Sequence, residues 1–224
     1  MTITRTLNHL LPVLTGLALI LFGVNAMAIE EPAYTVISQH DDIEIRQYAP
    51  FIVAETLVTE ADSRNAANNE GFRRLFRYIT GSNQARAKIE MTAPVLQSGE
   101  SAGKNTREDG QKIAMTAPVQ QKETDSGWQI AFVLPAQFDM RTAPVPTDDR
   151  ITLREMPSRT VAVQRFSGRW TDKNFRTHRK SLSDFLDSNK LEAVGEMEYA
   201  AYNAPFTLPF MRRNEVMVEI ESIE

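Results

Sequence analysis

Residues 43–55 read IEIRQYAPFIVAE, and residues 151–163 read ITLREMPSRTVAV. At an offset of 108, Ile43 falls on Ile151, Ile45 on Leu153, Arg46 on Arg154, and Val53-Ala54 on Val161-Ala162. Alternation is clear at Ile43 and Ile45 and β-branched residues are frequent, so both stretches read as strands. Gln39-His40-Asp41-Asp42 and Ala49-Pro50 supply turn chemistry around the first. A helix follows each copy. In SRNAANNEGFRRLFRYITG (residues 63–81), Ser63 stands as an N-cap, Phe72, Leu75, Phe76 and Ile79 recur at i, i+3, i+4 and i+7, and Gly81 stands as a stop. Gly71 weakens the interior of that helix. In the second copy Thr171 answers Ser63, and Leu182, Phe185 and Leu186 stand 110 residues beyond Phe72, Leu75 and Phe76. The Pro-rich TAPVPTDDR (residues 142–150) separates two pseudo-symmetric strand-helix-strand halves of an α+β protein.

A shorter repeat lies inside the first half: KIEMTAPVLQ (residues 88–97) and KIAMTAPVQQ (residues 112–121). It occurs twice, whereas a solenoid needs at least three copies. Ile89, Met91, Ala93 and Val95 share one face, as do Ile113, Met115, Ala117 and Val119. The pattern predicts neighbouring strands of similar burial joined by a polar excursion, with Pro94 and Pro118 at a bulge, an edge or a strand end. WQIAFVLP (residues 128–135) reads as another strand.

The N-terminus reads as a leader. Arg5 and His9 precede the apolar run LLPVLTGLALILFGV, which ends near Ala26-Met27-Ala28. The run is shorter than the ~20 residues of a membrane span, which favours cleavage after Ala28 over an uncleaved anchor. Removing 28 of 224 residues leaves 196, residues 29–224, suited to a single domain. Without Arg5 the chain carries 24 basic and 29 acidic residues, so the formal charge moves from −4 to −5. That balance gives no general attraction to nucleic acid. The chain has no cysteine, which excludes disulfides, thiolate chemistry and lipid attachment through an N-terminal Cys. The expected product is exported, periplasmic or secreted, and monomeric, with no membrane span once the leader is removed.

Several separated motifs carry a family resemblance. K-I-x-M-T-A-P-V, YITGSN (residues 78–83), EIRQYAP (residues 44–50), FSGRW (residues 166–170) and the closing YNAPFTLPFMRRNEVMVEI (residues 202–220) resemble the SOUL haem-binding protein family, as a bacterial, exported member. The likeness runs from about Tyr34 to Ile220. It implies a distorted antiparallel β-barrel with two flanking helices and internal pseudo-twofold symmetry. The family also resembles effector-binding domains of some bacterial regulators, which hold apolar or cationic small molecules; fold alone therefore implies a binding module without naming its ligand.

Haem requires a large apolar slot, cations for its propionates and often an axial donor. The resemblance places the tetrapyrrole surface on the first helix and the loop before the last strand. On this chain that points to Phe72, Phe76 and Arg77, with Arg73 and Arg74 beside them. From residues alone the same stripe also reads as an ordinary amphipathic helix with solvated arginines. The last loop offers Phe206, Leu208, Phe210 and Met211 beside Arg212 and Arg213, either packed on the barrel or partly open to ligand. Asn214 and Glu215 read as structural, with Glu215 in an ion pair or network. After the leader only His40 and His178 remain. His40 lies in a turn. His178, on the apolar face of the second helix, reads as a hydrogen-bonded core histidine or, as the candidate metal ligand, an axial donor. Gln47 occupies the place where some members carry a histidine between the Arg and Tyr of E-I-R-x-Y. Met91 and Met115 read as core. Haem held by such residues rests on apolar contact with weak or no ligation.

Catalytic signatures are absent: no H-E-x-x-H, no G-x-S-x-G, no phosphate loop. The leading expectation is a non-catalytic binding protein for haem or a related tetrapyrrole, acting as an exported buffer, scavenger or carrier. The alternatives are a module for another hydrophobic small molecule and an enzyme acting on an apolar or porphyrin-like substrate.

Overall fold

A computed structural model of the chain describes residues 29–85 and 110–221. The leader and the first K-I-x-M-T-A-P-V copy lie outside the described residues. The elements in order are β1 (Tyr34–His40), β2 (Ile43–Tyr48), β3 (Phe51–Val58), α1 (Arg64–Ile79), β4 (Asn83–Gln84), β5 (Val119–Thr124), β6 (Gly127–Val133), β7 (Val145–Pro146), β8 (Ile151–Met156), β9 (Arg159–Phe166), α2 (Asp172–Asn189), β10 (Ala193–Ala201) and β11 (Asn214–Ile220), with a 3-10 turn at Pro209–Met211.

Nine strands form one antiparallel sheet in the order β1-β2-β9-β11-β10-β5-β6-β3-β8; β4 and β7 make a separate ribbon. Apart from β1, the order is palindromic: β2 answers β8 and β3 answers β9 at the 108-residue offset, while β6 answers β11 and β5 answers β10 by place in the sheet alone. Register obeys the same rule, since Tyr48 opposes Arg159 and Phe51 opposes Met156. The successive strands β2 and β3 do not pair with each other. Instead β2 crosses to β9 and β8 crosses to β3, so each half lends its outer strand to the other and the two interlock as one unit.

The sheet is open rather than closed into a barrel. β1 and β8 stand at its two ends, and β1 carries a register shift between Val36 and Ser38, after which its pairing with β2 resumes, a feature that bends an edge strand. Curvature nevertheless buries both faces. Both helices cover one face: α1 contributes Ala67, Leu75, Tyr78 and Ile79 to a cluster with Ile52, Ala54, Ile130 and Phe132, and α2 contributes Phe175, Leu182 and Leu186 to a cluster with Ile45, Ala162, Val216 and Val218. On the other face, Tyr48, Val161, Val163 and Met217 gather into a further cluster, which requires the sheet to curl around them.

Both expected caps are present. Ser63 Oγ accepts from Ala66 N at 3.2 Å and Thr171 Oγ1 from Asn174 N at 3.3 Å. α1 ends at Ile79 and Gly81 follows at φ +125°, where a side chain would be strained. Gly71 has a packing reason: a Cβ there would stand 2.8 Å from Ile130 Cβ, so its absence lets α1 seat on β6. Burial pairs the helices at an offset of 107, matching Leu75 with Leu182 and Ile79 with Leu186. The offset of 110 would set exposed Phe76 against buried Leu186, so that equivalence is corrected.

The second T-A-P-V copy also departs from expectation. Lys112–Pro118 has no strand structure; only Val119 enters β5, with Pro118 just before the strand start. Ile113 and Ala117 are buried, but Met115 is 48% exposed. Ladder bonding is replaced by single anchors, Ile113 N to Ile79 O and Ala117 N to Glu30 O, so strict alternation does not hold. Whether this copy lies beside the first falls outside the described residues.

Candidate functional site

Asn65, Asn68, Asn69 and Phe72 fall at i, i+3, i+4 and i+7 of α1 and form one wall of a cavity of about 330 Å³. Trp170, Val119 and Ala201 also line it, as do Asn203, Pro205 and Arg212 of the β10–β11 connection and Asn214 at the start of β11. The helix and the last loop therefore do meet, and Phe72 and Arg212 are the two expected residues that line the space.

The apolar part of the wall is held from behind. The Phe72 ring meets Phe132 edge-on with centroids 5.2 Å apart and stacks on Phe76 at 5.8 Å. Trp170 Nε1 donates to Asn214 Oδ1 at 2.7 Å, and Asn214 Nδ2 donates to Gly168 O at 3.2 Å. Arg212 donates from its guanidinium to Thr207 O at 2.8 Å and to Pro205 O at 2.5 Å; among the described residues no carboxylate pairs with it. Asn68 Oδ1 is buried without a partner. A buried acceptor in that state is normally satisfied by ordered water or ligand.

The lining has one cation and neither acid, histidine, hydroxyl nor thiol. It can attract a negative group and pack an apolar one, but it holds no group that could serve as general base or nucleophile. Among the described residues no group of three His, Cys, Asp or Glu side chains could hold a metal ion, and no helix is long and apolar enough to cross a membrane.

The remaining expected residues lie elsewhere. Phe76 is 41% exposed beyond the cavity. Arg73 is exposed and paired with Glu70 at 2.7 Å. Arg77 lines a different cleft, with Arg74, Asp148 and Arg150. Phe206, Phe210 and Met211 point outward from the loop. His178 belongs to α2, stacked on Phe166 with centroids 4.1 Å apart, and takes no part in the cavity; burial lowers its pKa against the opposing pull of Asp42. His40 is exposed. The sequence reading missed the asparagines, although their helical spacing with Phe72 was visible, because attention to apolar periodicity discards polar residues on the same face.

Glu215 is structural, as expected. It accepts from Arg46 through both oxygens at 3.0 Å, from Tyr202 Oη at 2.6 Å and from Arg213 Nε at 3.0 Å. Arg46 also donates to Glu44 and Tyr48, and Arg213 to Glu31. Burial alone would raise the Glu215 carboxyl, but hydrogen bonding and charge from Arg46, with Arg213 and Tyr202 behind them, hold it below its ordinary range. The E-I-R-Q-Y and R-R-N-E-V motifs thus join β2 to β11, on the two sides of β9, through one buried network.

The sequence pattern described as SOUL heme-binding protein matches residues 29–105 and 101–219. The chain belongs to the SOUL family. Its relatives include Heme-binding protein 2 of Homo sapiens, 28% identical over 196 residues covering 85% of this chain and 86% of that one, and Heme-binding protein 1 of Xenopus tropicalis, 27% identical over 150 residues, 67% and 69% respectively. Among solved structures the SOUL chain resembles the EcmrR C-terminal domain, with a TM-score of 0.53 and 9% identity, over 85% of this chain and 99% of that domain. At that identity the likeness concerns the fold alone.

Proposed function

We propose that this SOUL protein is a non-catalytic binding protein for haem or a related tetrapyrrole, a bacterial protein exported after loss of residues 1–28 and acting as a buffer, scavenger or carrier. The observation that carries the reading is the cavity between α1 and the last loop, which joins Phe72 and Trp170 to a single cation, Arg212, with no acid or base in its lining. An apolar ring bearing carboxylates matches that wall, and relatives named heme-binding proteins span most of the chain. Phe72, Trp170 and Val119 would take the ring, Arg212 a carboxylate, and Asn68 a hydrogen-bond donor or bridging water. Haem would supply its iron chemistry without an axial donor from this lining, which contains neither His nor Met.

Volume supports a second reading. About 330 Å³ is at the lower end of the ~300–1,000 Å³ typical of ligand pockets, which suits a smaller apolar carboxylic acid. The test is titration with haemin and, separately, with a long-chain fatty acid, followed by absorbance and calorimetry, beside Phe72→Ala, Arg212→Gln and His178→Ala. Saturable haemin binding near one equivalent, weakened about tenfold by Arg212→Gln and spectrally unchanged by His178→Ala, is expected. Non-saturating haemin binding indifferent to Phe72 and Arg212 would overturn the haem reading, and saturable fatty-acid binding would put the second in its place. Mass spectrometry of the exported chain tests cleavage after Ala28.

A further inference from the structure

The connection Ala204–Met211 reads APFTLPFM and passes the mouth of the cavity. Its large apolar side chains face away from the body: Phe206 is 89% exposed, Phe210 73%, Met211 64% and Leu208 54%. The backbone beneath them is tied down. Thr207 N donates to Ala204 O, Met211 N to Leu208 O, and both Arg212 N and Gly168 N to Pro209 O, while the Arg212 side chain takes Thr207 O and Pro205 O. Pro205 and Pro209 carry no N–H. Outward apolar groups over a backbone this far bonded to itself suit the interfacial layer of a bilayer, where headgroups and water still reach the remaining amides, better than bulk water.

Charge is arranged to match. No charged residue occurs between Tyr202 and Met211; Arg212 follows the tip, and exposed Arg169 is next in the chain to Gly168, whose N–H is bonded to Pro209 O, while Arg213 is taken up by Glu31 and Glu215. Aromatic and aliphatic groups beyond a basic collar are the pattern of interfacial anchors. Phe206 stands clear of its neighbours rather than lining a groove, so the feature is a convex tip, which a deformable lipid interface accommodates.

We propose that Ala204–Met211 inserts into the interfacial layer of a lipid bilayer, with Arg169 and Arg212 toward the headgroups, and docks the protein peripherally. Pro205 and Arg212 belong to both the tip and the cavity wall, so docking sets the cavity mouth at the membrane, where an apolar ligand enters or leaves without crossing bulk water. Docking does not depend on which ligand the cavity takes.

Because the chain has no cysteine, Phe206→Cys gives a unique position for an environment-sensitive nitrobenzoxadiazole label, read without haemin or fatty acid. Val194→Cys, on an exposed residue of β10, is the control. Vesicles of phosphatidylcholine alone, and of equal parts phosphatidylcholine and phosphatidylglycerol, are added, with spin-labelled lipid as quencher. The label at position 206 is expected to shift to the blue and be quenched, more strongly with the anionic lipid, and the label at 194 to do neither. Adding Phe210→Ser should weaken partitioning of the 206-labelled chain by about tenfold. No response at 206, an equal response at 194, or a blue shift that follows protein concentration without lipid (self-association through the tip) would each overturn the proposal.

Discussion

Glu215→Ala tests the buried network most directly. Glu215 is fully buried and Arg46 is 2% exposed, and the carboxylate accepts from Arg46 twice, from Arg213 and from Tyr202. Truncation leaves the Arg46 guanidinium desolvated with Glu44 as its remaining carboxylate partner. Breaking a buried pair from one side costs about 3–5 kcal/mol, and the stranded Tyr202 hydroxyl adds about 1 kcal/mol at most. The two are not independent, so the expected loss is about 4 kcal/mol, a large share of the ~5–15 kcal/mol of an ordinary domain. Urea unfolding followed by circular dichroism, with an unchanged slope, measures it. Replacing both partners by methionine should cost less than Glu215→Ala, because no fully buried charge is then left unpaired: Arg213 keeps Glu31, and only the part-exposed Glu44 loses its partner. The sign with pH follows from the depressed carboxyl. Its contribution is complete above its ordinary pKa of 4.5 and is lost as pH falls through the lower folded-state value; Glu215→Gln should flatten that part of the acid limb. A Glu215→Ala loss below about 1 kcal/mol, or one abolished by salt as for an exposed pair, would refute the reasoning.

Three further outcomes are expected. Gly71→Ala should destabilise by about 1–2 kcal/mol, since crowding against Ile130 outweighs the gain in helix propensity; a more stable variant in urea unfolding would contradict the close approach. Leu75→Ala should cost about 2–5 kcal/mol and its neighbour Phe76→Ala under about 1 kcal/mol, by thermal melts compared at equal folded content, because only Leu75 is fully buried. The His178 imidazole should titrate below 6.5 by nuclear magnetic resonance, so its contact with Phe166 loses stability as pH falls through that window; a midpoint at or above 6.5 would mean its burial is not felt.

Local chemistry was readable in the chain. A serine and a threonine before two apolar-periodic runs predict both helices and both caps, and Gly81 predicts the first stop, because each of these choices is decided within a few residues. The doubled strands at an offset of 108 likewise appear as equivalent positions in the sheet. Pairing was not readable: β2 and β3 are separated by two residues, yet neither bonds the other, since the ladder is decided by what lies opposite after folding. Met115 shows the same limit, as alternation assigns a face only where a strand actually forms.

The candidate site divides in the same way. Phe72 and Arg212 were accessible from the chain because a ring on a helical stripe and an arginine pair beside an apolar loop are local features. Their companions Asn65, Asn68, Asn69, Asn203 and Asn214 are polar and carry no apolar signal, and they line one cavity only when the chain around the start of β11 is brought against α1. By itself the sequence determined the α+β class, the internal duplication, the start of both helices, the end of the first and the family, all of which depend on short-range spacing. Tertiary structure decided the exchange of outer strands, the open sheet, the burial of Glu215 and the turning of Phe206 and Phe210 to solvent. Burial and pairing depend on segments distant along the chain, and local spacing does not contain those distances.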